Sequence, residues 1–254
     1  MRIVMGVRLL LPVFLLAIAG SLHGQERAPV VTRPLLVVAV VNNSTYVADS
    51  DVTLWAAAIT QQLHNHLAPI WKVDADVIFS QTPPAGAWVC TLVDGGTYAT
   101  GNPLGIHTVT ADGTPACTVY AGMVVQNQLG PVSKPLSHEI MEMLVDPYLS
   151  SMTLAQGNDS NSATVYLREI CDPVWAYGYL IDGVTVSDFS YPAFWLGGFP
   201  PPGSQLDYMG IATVTLTPTA SSYMMVRYIS TFGGINSLVS WTYIWGSYCA
   251  FGPC

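Results

Sequence analysis

Charge is scarce in this chain. Only 9% of its 254 residues are Asp, Glu, Lys or Arg, and just 8 are basic. The basic residues are scattered, so no cationic stripe exists to neutralise phosphates, which argues against nucleic acid and anionic membrane surfaces as partners. Past the first two dozen residues, no second apolar run approaches the ~20 residues that a membrane helix needs, and no internal repeat is visible. No serine sits in a Gly-rich nucleophile elbow, so serine-hydrolase chemistry has no support. With so few charges, the surface must be covered mainly by Ser, Thr, Asn, Gln, Gly and Tyr, which suits an extracellular protein.

What is present begins with an export signature. Arg2 and Arg8 form a positive start, Leu9 to Ala19 is an apolar stretch of signal length, and small residues follow up to Gly24. Residues 1–24 are therefore expected to be a signal peptide, and the protein to be secreted or held at the cell surface, with no membrane contact after cleavage. Without Arg2 and Arg8, six basic residues face 16 acidic ones, a net charge of about −10. In an oxidising compartment the five cysteines should pair where they can. Cys249 with Cys254, around a tight turn, and Cys90 with Cys117, flanking strand-like runs, are the expected pairs. Cys171 is left over as a buried thiol or a neighbour of the site. Asn42-Asn43-Ser44, Asn43-Ser44-Thr45 and Asn158-Asp159-Ser160 match the glycosylation acceptor pattern.

The pattern along the chain predicts an α+β fold. Leu35 to Val41 is a continuous apolar run and reads as a buried strand. A helix is expected from Asp49 or Ser50 to about Leu67, ended by Pro69. Strands follow at Val73 to Phe79, Trp88 to Val93 and Cys117 to Val125, with Gly101 to Pro115 read as loop. A second helix should start with Ser133 as its N-cap and stop at Pro147. The order is β-α-β-β-β-α, and the chain beyond Pro147 reads as mostly β and irregular. The expected division is residues 25–228 as the main domain and 229–254 as an aromatic-rich, Cys-closed extension.

The second helix carries the chemistry. At 100° per residue, with His138 at zero, Glu142 lies about 40° away, Asp146 about 80° and Glu139 about 100°. Four metal-ligand-type groups thus share one sector, and carboxylates so spaced destabilise a helix unless a cation or donors compensate. A divalent metal can be held by side chains one turn apart, here His138 and Glu142. Glu139, next to the first ligand, can then act as general base on water that the metal has acidified. Glu142 stands where the common H-E-x-x-H pattern has its second His, and carboxylates broaden the choice of metal beyond zinc toward calcium. A further ligand must come from elsewhere. Glu169 and Asp172, in Glu169-Ile170-Cys171-Asp172-Pro173, are the leading candidates, and Asp188 is another isolated acid. The competing reading is a structural polar network in which Arg168 or Lys134 satisfies His138 and Glu142. His64, His66 and His107 are isolated and read as ordinary histidines, His107 drawing more interest because it precedes a strand that would face a cleft.

A strand-helix-three-strand unit leading into an H-E helix resembles the zincin fold of metallopeptidases in its metzincin-type form. Ser137 to Pro147, Glu169 to Pro173 and Gly183 to Pro192 resemble motifs shared by a group of secreted bacterial proteins and, more distantly, by Exordium-like proteins. The resemblance covers about residues 35 to 228 and implies His138 and Glu142 as ligands and Glu139 as base. Asp146-Pro147 closes the helix where the longer metzincin pattern continues through Gly. The resulting expectation is a secreted metal-dependent hydrolase, peptidase-like, with zinc as the expected metal, calcium as the alternative, and a peptide or protein as substrate. The rival expectation, motivated by the low charge, the Ser/Thr/Tyr/Gly-rich surface and the aromatic-rich tail after Tyr228, is a non-catalytic, self-associating surface or filament-forming protein on the same scaffold.

Overall fold

The computed structural model of the protein describes residues 35–96, 103–156, 162–197, 200–232, 235–238 and 241–246. The expected signal segment, the Cys249–Cys254 pair and the acceptor motif at Asn158 lie outside the described residues.

The first strand, β1 (Leu36–Asn43), buries the consecutive residues Val38, Ala39 and Val40 completely. Successive side chains of a strand point to opposite faces, so both faces of β1 are covered, as its unbroken apolar sequence requires. Helix α1 (Asp49–Gln62) starts with Asp49 and Asp51 in its first turn, where the helix dipole favours negative charge. It buries Val52, Ala56 and Ile59. A π-helical turn, Leu63–Leu67, leads into the short α2 (Ala68–Trp71). Pro69 therefore does not end the helical region. It lies inside the continuing helical run, just past the π-helical turn, and the chain turns away at Lys72, which has φ of 60°.

Strands β2 (Ala75–Phe79), β3 (Trp88–Val93), β4 (Gly105–Val109) and β5 (Pro115–Val119) complete a five-stranded sheet in the order β2-β1-β3-β5-β4. All neighbours are parallel except β4, which runs antiparallel to β5 at the edge. Two features differ from the sequence reading. The stretch read as a loop holds β4, and the run Cys117 to Val125 divides into β5 and a short helix, α3 (Ala121–Gln126). Cys90 and Cys117 face each other in register on β3 and β5 and form the expected disulfide. A cross-link closing a loop of 27 residues contributes about 3–4 kcal/mol by restricting the unfolded chain.

Helix α4 (Ser133–Val145) packs on β4 and β5 and touches α1. Ser133 is its first helical residue rather than its cap, and its hydroxyl donates to the Thr185 carbonyl. Beyond α4 the chain is mostly β and irregular, as expected. Strands β6 (Met152–Gln156) and β7 (Ser162–Leu167) precede a hairpin, β8 (Gly178–Ile181) with β9 (Val184–Ser187). Strand β10 (Tyr223–Phe232) pairs antiparallel with β7, with β11 (Ile235–Leu238) and with β12 (Thr242–Trp245). The boundary expected after Tyr228 thus falls inside a strand. The protein is of mixed α and β class, with one large core between the first sheet, α1 and α4. A smaller core is centred on Phe194, Trp195, Met224 and Val226. No helix among the described residues is long and apolar enough to cross a membrane.

Candidate metal centre

Helix α4 buries nearly its whole circumference, from Pro135 to Leu144, so its polar side chains are enclosed rather than solvated. His138, Glu139 and Glu142 are 2%, 6% and 3% exposed and open onto a cavity of about 340 Å³. The opposite wall is the edge strand β4, through Gly105 and His107. The chain leaving β7 brings in Glu169 and Asp172, and β10 contributes Tyr223 and Met225. Trp241 and Tyr243, from the part expected to be a separate extension, also line the cavity.

Both downstream acids expected from the sequence reach the helix. His138 Nε2 lies 3.1 Å from Glu142 Oε2 and 3.3 Å from Asp172 Oδ1. Asp172 begins a 3₁₀ turn, with Pro173 inside it, and the Tyr223 phenol hydrogen-bonds its carboxylate. The second oxygen of Glu142, Oε1, accepts the Cys171 backbone N–H at 2.9 Å, which fixes the direction of the carboxylate. Glu169 stands on the far side, 3.7 Å from Nε2 of His107. His107 Nδ1 lies 3.8 Å from Glu139 Oε2 and 3.9 Å from Glu142 Oε2. His107, read from sequence as one of three isolated histidines, is therefore part of the cluster. The sequence carried little signal for it, because in Gly105-Ile106-His107-Thr108 the apolar Ile106 is the exposed position and His107 the buried one.

The other single-residue readings divide. Asp146 does not join the cavity group. The helix ends at Val145, Asp146 adopts φ −131°, and its two oxygens accept the N–H groups of Ser150 and Ser151. Asp188 lies in a second buried pair with Asp207. His64 faces Asp74 and Asp76 near the surface, and His66 stacks on Tyr208. Cys171 is a buried free thiol and also a neighbour of the site, since its sulfur and ligand atoms of His138 and Glu142 all lie within 4.8 Å of one another. Its sulfur approaches the His138 carbonyl oxygen at 3.8 Å, and burial raises its pKa. Arg168 and Lys134 do not serve the cluster either. Arg168 donates to Thr153, and Lys134 lies over the Trp175 ring.

Four carboxyl groups and two imidazoles thus share one cavity, with no lysine or arginine paired to them among the described residues. Their protonation reflects the crowding. Burial, reinforced by Glu142, Asp172 and Glu139, holds Glu169 well above the usual carboxyl range. Burial and Glu142 push Asp172 up to about 7, against the hydrogen bond from His138. Burial also raises Glu139, more than His107 and His138 lower it. For Glu142 burial acts upward too, but His138, His107 and the Cys171 N–H outweigh it and keep this carboxylate ionised. Burial alone would lower both histidines. The carboxylates around them reverse its sign and raise both. Buried charge of one sign has to be neutralised by protons or by a cation. Moreover, His138 Nδ1, His107 Nε2 and Glu169 Oε2 are buried with no hydrogen-bond partner. Unpaired buried donors and acceptors of these types suit a divalent ion, and their oxygen and imidazole chemistry suits zinc, manganese or calcium over softer metals.

Comparison of the chain with family models, with curated proteins and with solved structures returns no match.

Proposed function

We propose that the protein is a metal-dependent hydrolase on a zincin-like scaffold, acting on peptide bonds outside the cell. The observation that carries this reading is the convergence of His138, Glu142 and Asp172, with Glu139 beside them, in one buried cavity without a lysine or arginine partner among the described residues. The sheet order supports it, because an antiparallel edge strand, β4, forms the wall facing the H-E helix.

His138, Glu142 and Asp172 would hold the ion, with Glu169 in reserve on the far wall. A divalent cation supplies Lewis acidity that lowers the pKa of water and polarises a carbonyl. Glu139 does the proton work. It lies next to a ligand in sequence, outside the His138–Glu142–Asp172 set. Its raised pKa brings it closer to neutrality, where a carboxylate both accepts and releases a proton effectively. Tyr223 holds Asp172 in place through its phenol. Among the described residues β4 pairs with β5 alone, so its other edge can offer backbone groups to an extended chain. That open edge favours a peptide as substrate.

Metal analysis of the purified protein tests the reading. At least one stoichiometric divalent ion is expected in the wild type, and its loss in His138→Ala. Glu139→Gln should keep the ion while losing about 10²–10⁴-fold of peptide hydrolysis, the usual worth of a general base. A wild-type protein with no stoichiometric ion would sink the proposal.

A further inference from the structure

We propose that the cavity holds two divalent cations, the second bound by His107 and Glu169 and sharing Glu142 with the first. This rests on the metal reading above and extends it to residues that reading leaves unused.

The donors divide into two sets that meet at Glu142. One is His138, Glu142 and Asp172, with the imidazole 3.1 and 3.3 Å from the two carboxylates. The other is His107, Glu142 and Glu169, which offer ligand atoms all within 4.8 Å of one another. In the second set, His107 Nε2 and Glu169 Oε2 are 3.7 Å apart, too far for a hydrogen bond. Two donors of one tetrahedral ion, each at 2.0–2.2 Å, stand about 3.4 Å apart. The pair is therefore closer to the spacing of co-ligands than to that of hydrogen-bonding partners. Both atoms are also orphans, buried with no hydrogen-bond partner. Their side chains are only 3% and 9% exposed, so water gives little relief. An unpaired donor or acceptor in such a place costs about 1–3 kcal/mol, and one cation removes both penalties at once.

Charge leads to the same count. Glu139, Glu142, Glu169 and Asp172 carry up to four negative charges, and neutral imidazoles carry none. With all four ionised, one divalent ion leaves two of those charges for protons to neutralise, whereas two ions balance them. Glu142 is suited to be the shared group. Its Oε1 is held by the Cys171 N–H, and its Oε2 lies 3.1 Å from His138 Nε2 and 3.9 Å from Nδ1 of His107, whose other nitrogen faces Glu169. Each set combines one imidazole with carboxylate oxygens, a mixture that suits zinc or manganese.

Manganese supplies the test. The full chain is stripped with chelator and titrated with Mn²⁺. Bound ions are counted by mass spectrometry, and the spin coupling is read by electron paramagnetic resonance. Two ions per chain are expected, with the broadened spectrum of a coupled pair. Glu169→Gln should halve the count and restore the resolved hyperfine pattern of an isolated ion, with the near-ultraviolet circular dichroism unchanged. One ion per chain in the wild type overturns the second site and leaves the first standing, whereas no ion overturns both. Two ions that survive Glu169→Gln overturn the assignment of Glu169. Should that variant fail to fold, the wild-type count and spectrum decide alone.

Discussion

Gly105 is the residue whose small size the cavity uses most directly. A Cβ built there would lie 2.6 Å from Glu139 Cγ and 2.7 Å from its Oε1. No real side chain tolerates such contacts. The clash, however, falls on a flexible glutamate and not on backbone, so the fold can survive by moving Glu139 aside. Gly105→Ala should therefore retain the stoichiometric metal and lose no more than a few degrees of thermal stability. Its hydrolysis should fall at least tenfold, because the group that moves the proton is displaced. Parallel metal analysis and activity assays check this. Unchanged activity would show that Glu139 does not work from the position it occupies here.

Among the elements, the segment after β9 shows how a second acidic pair is accommodated by backbone N–H groups. Asp188 and Asp207 are both fully buried. Asp188 Oδ1 accepts the N–H groups of Phe189 and Met209, and Asp207 accepts those of Ile211 and Ala212, so the pair ties two irregular segments together. Burial, the hydrogen bond to Asp207 and its charge push Asp188 up to about 8. Lys134 also faces Asp188, and burial pushes that lysine down to about 8. A carboxyl whose pKa is higher folded than unfolded binds the proton more tightly in the folded state. Its contribution is complete below about pH 4 and is lost as pH rises toward about 8. Asp188→Asn mimics the protonated acid at every pH. Thermal melts at pH 5 and pH 8 should show the variant gaining on the wild type at pH 8 and not at pH 5. Parallel curves would mean that the pair does not share a proton.

For the molecule as a whole, the scarcity of charge on the chain contrasts with its concentration inside one cavity. A fold that buries carboxylates this way is held together in part by whatever neutralises them. A cation that binds only the folded protein stabilises it by about 2.7 kcal/mol at a hundred times its dissociation constant. For a chain of this size that is a rise of about 5–10 °C in melting temperature. Binding has to displace protons from Asp172, held at about 7, and from Glu169, which burial also holds well above the usual carboxyl range. The stabilisation by Zn²⁺ or Mn²⁺ should therefore be large at pH 7.5 and small at pH 5, and should be reduced in His138→Ala. Melting curves with and without the ion at the two pH values check this, and an equal rise at both would contradict it.

The sequence by itself determined the parts of this protein that depend on local spacing. The unbroken apolar run of β1, the helix from Ser133 to Val145 and the shared face of His138 and Glu142 follow from the two periods of the backbone, 2 and 3.6 residues. The nomination of Glu169 and Asp172 also needed only the rarity of acids in a charge-poor chain. Cys90 with Cys117 could be suggested but not decided, since pairing depends on two strands lying side by side in register. What tertiary structure alone decided is which residues meet across the cavity. His107 lies 31 residues before His138 in a stretch whose Gly, Thr and Pro content reads as loop, and it becomes a site residue only because β4 is placed at the sheet edge against α4. Asp146 shows the reverse. Helical spacing put it on the face with His138, but the helix ends one residue earlier, and its carboxylate serves the next turn. Backbone periodicity holds only as far as the element lasts, whereas a buried cluster of charge is assembled by the packing of elements distant in sequence.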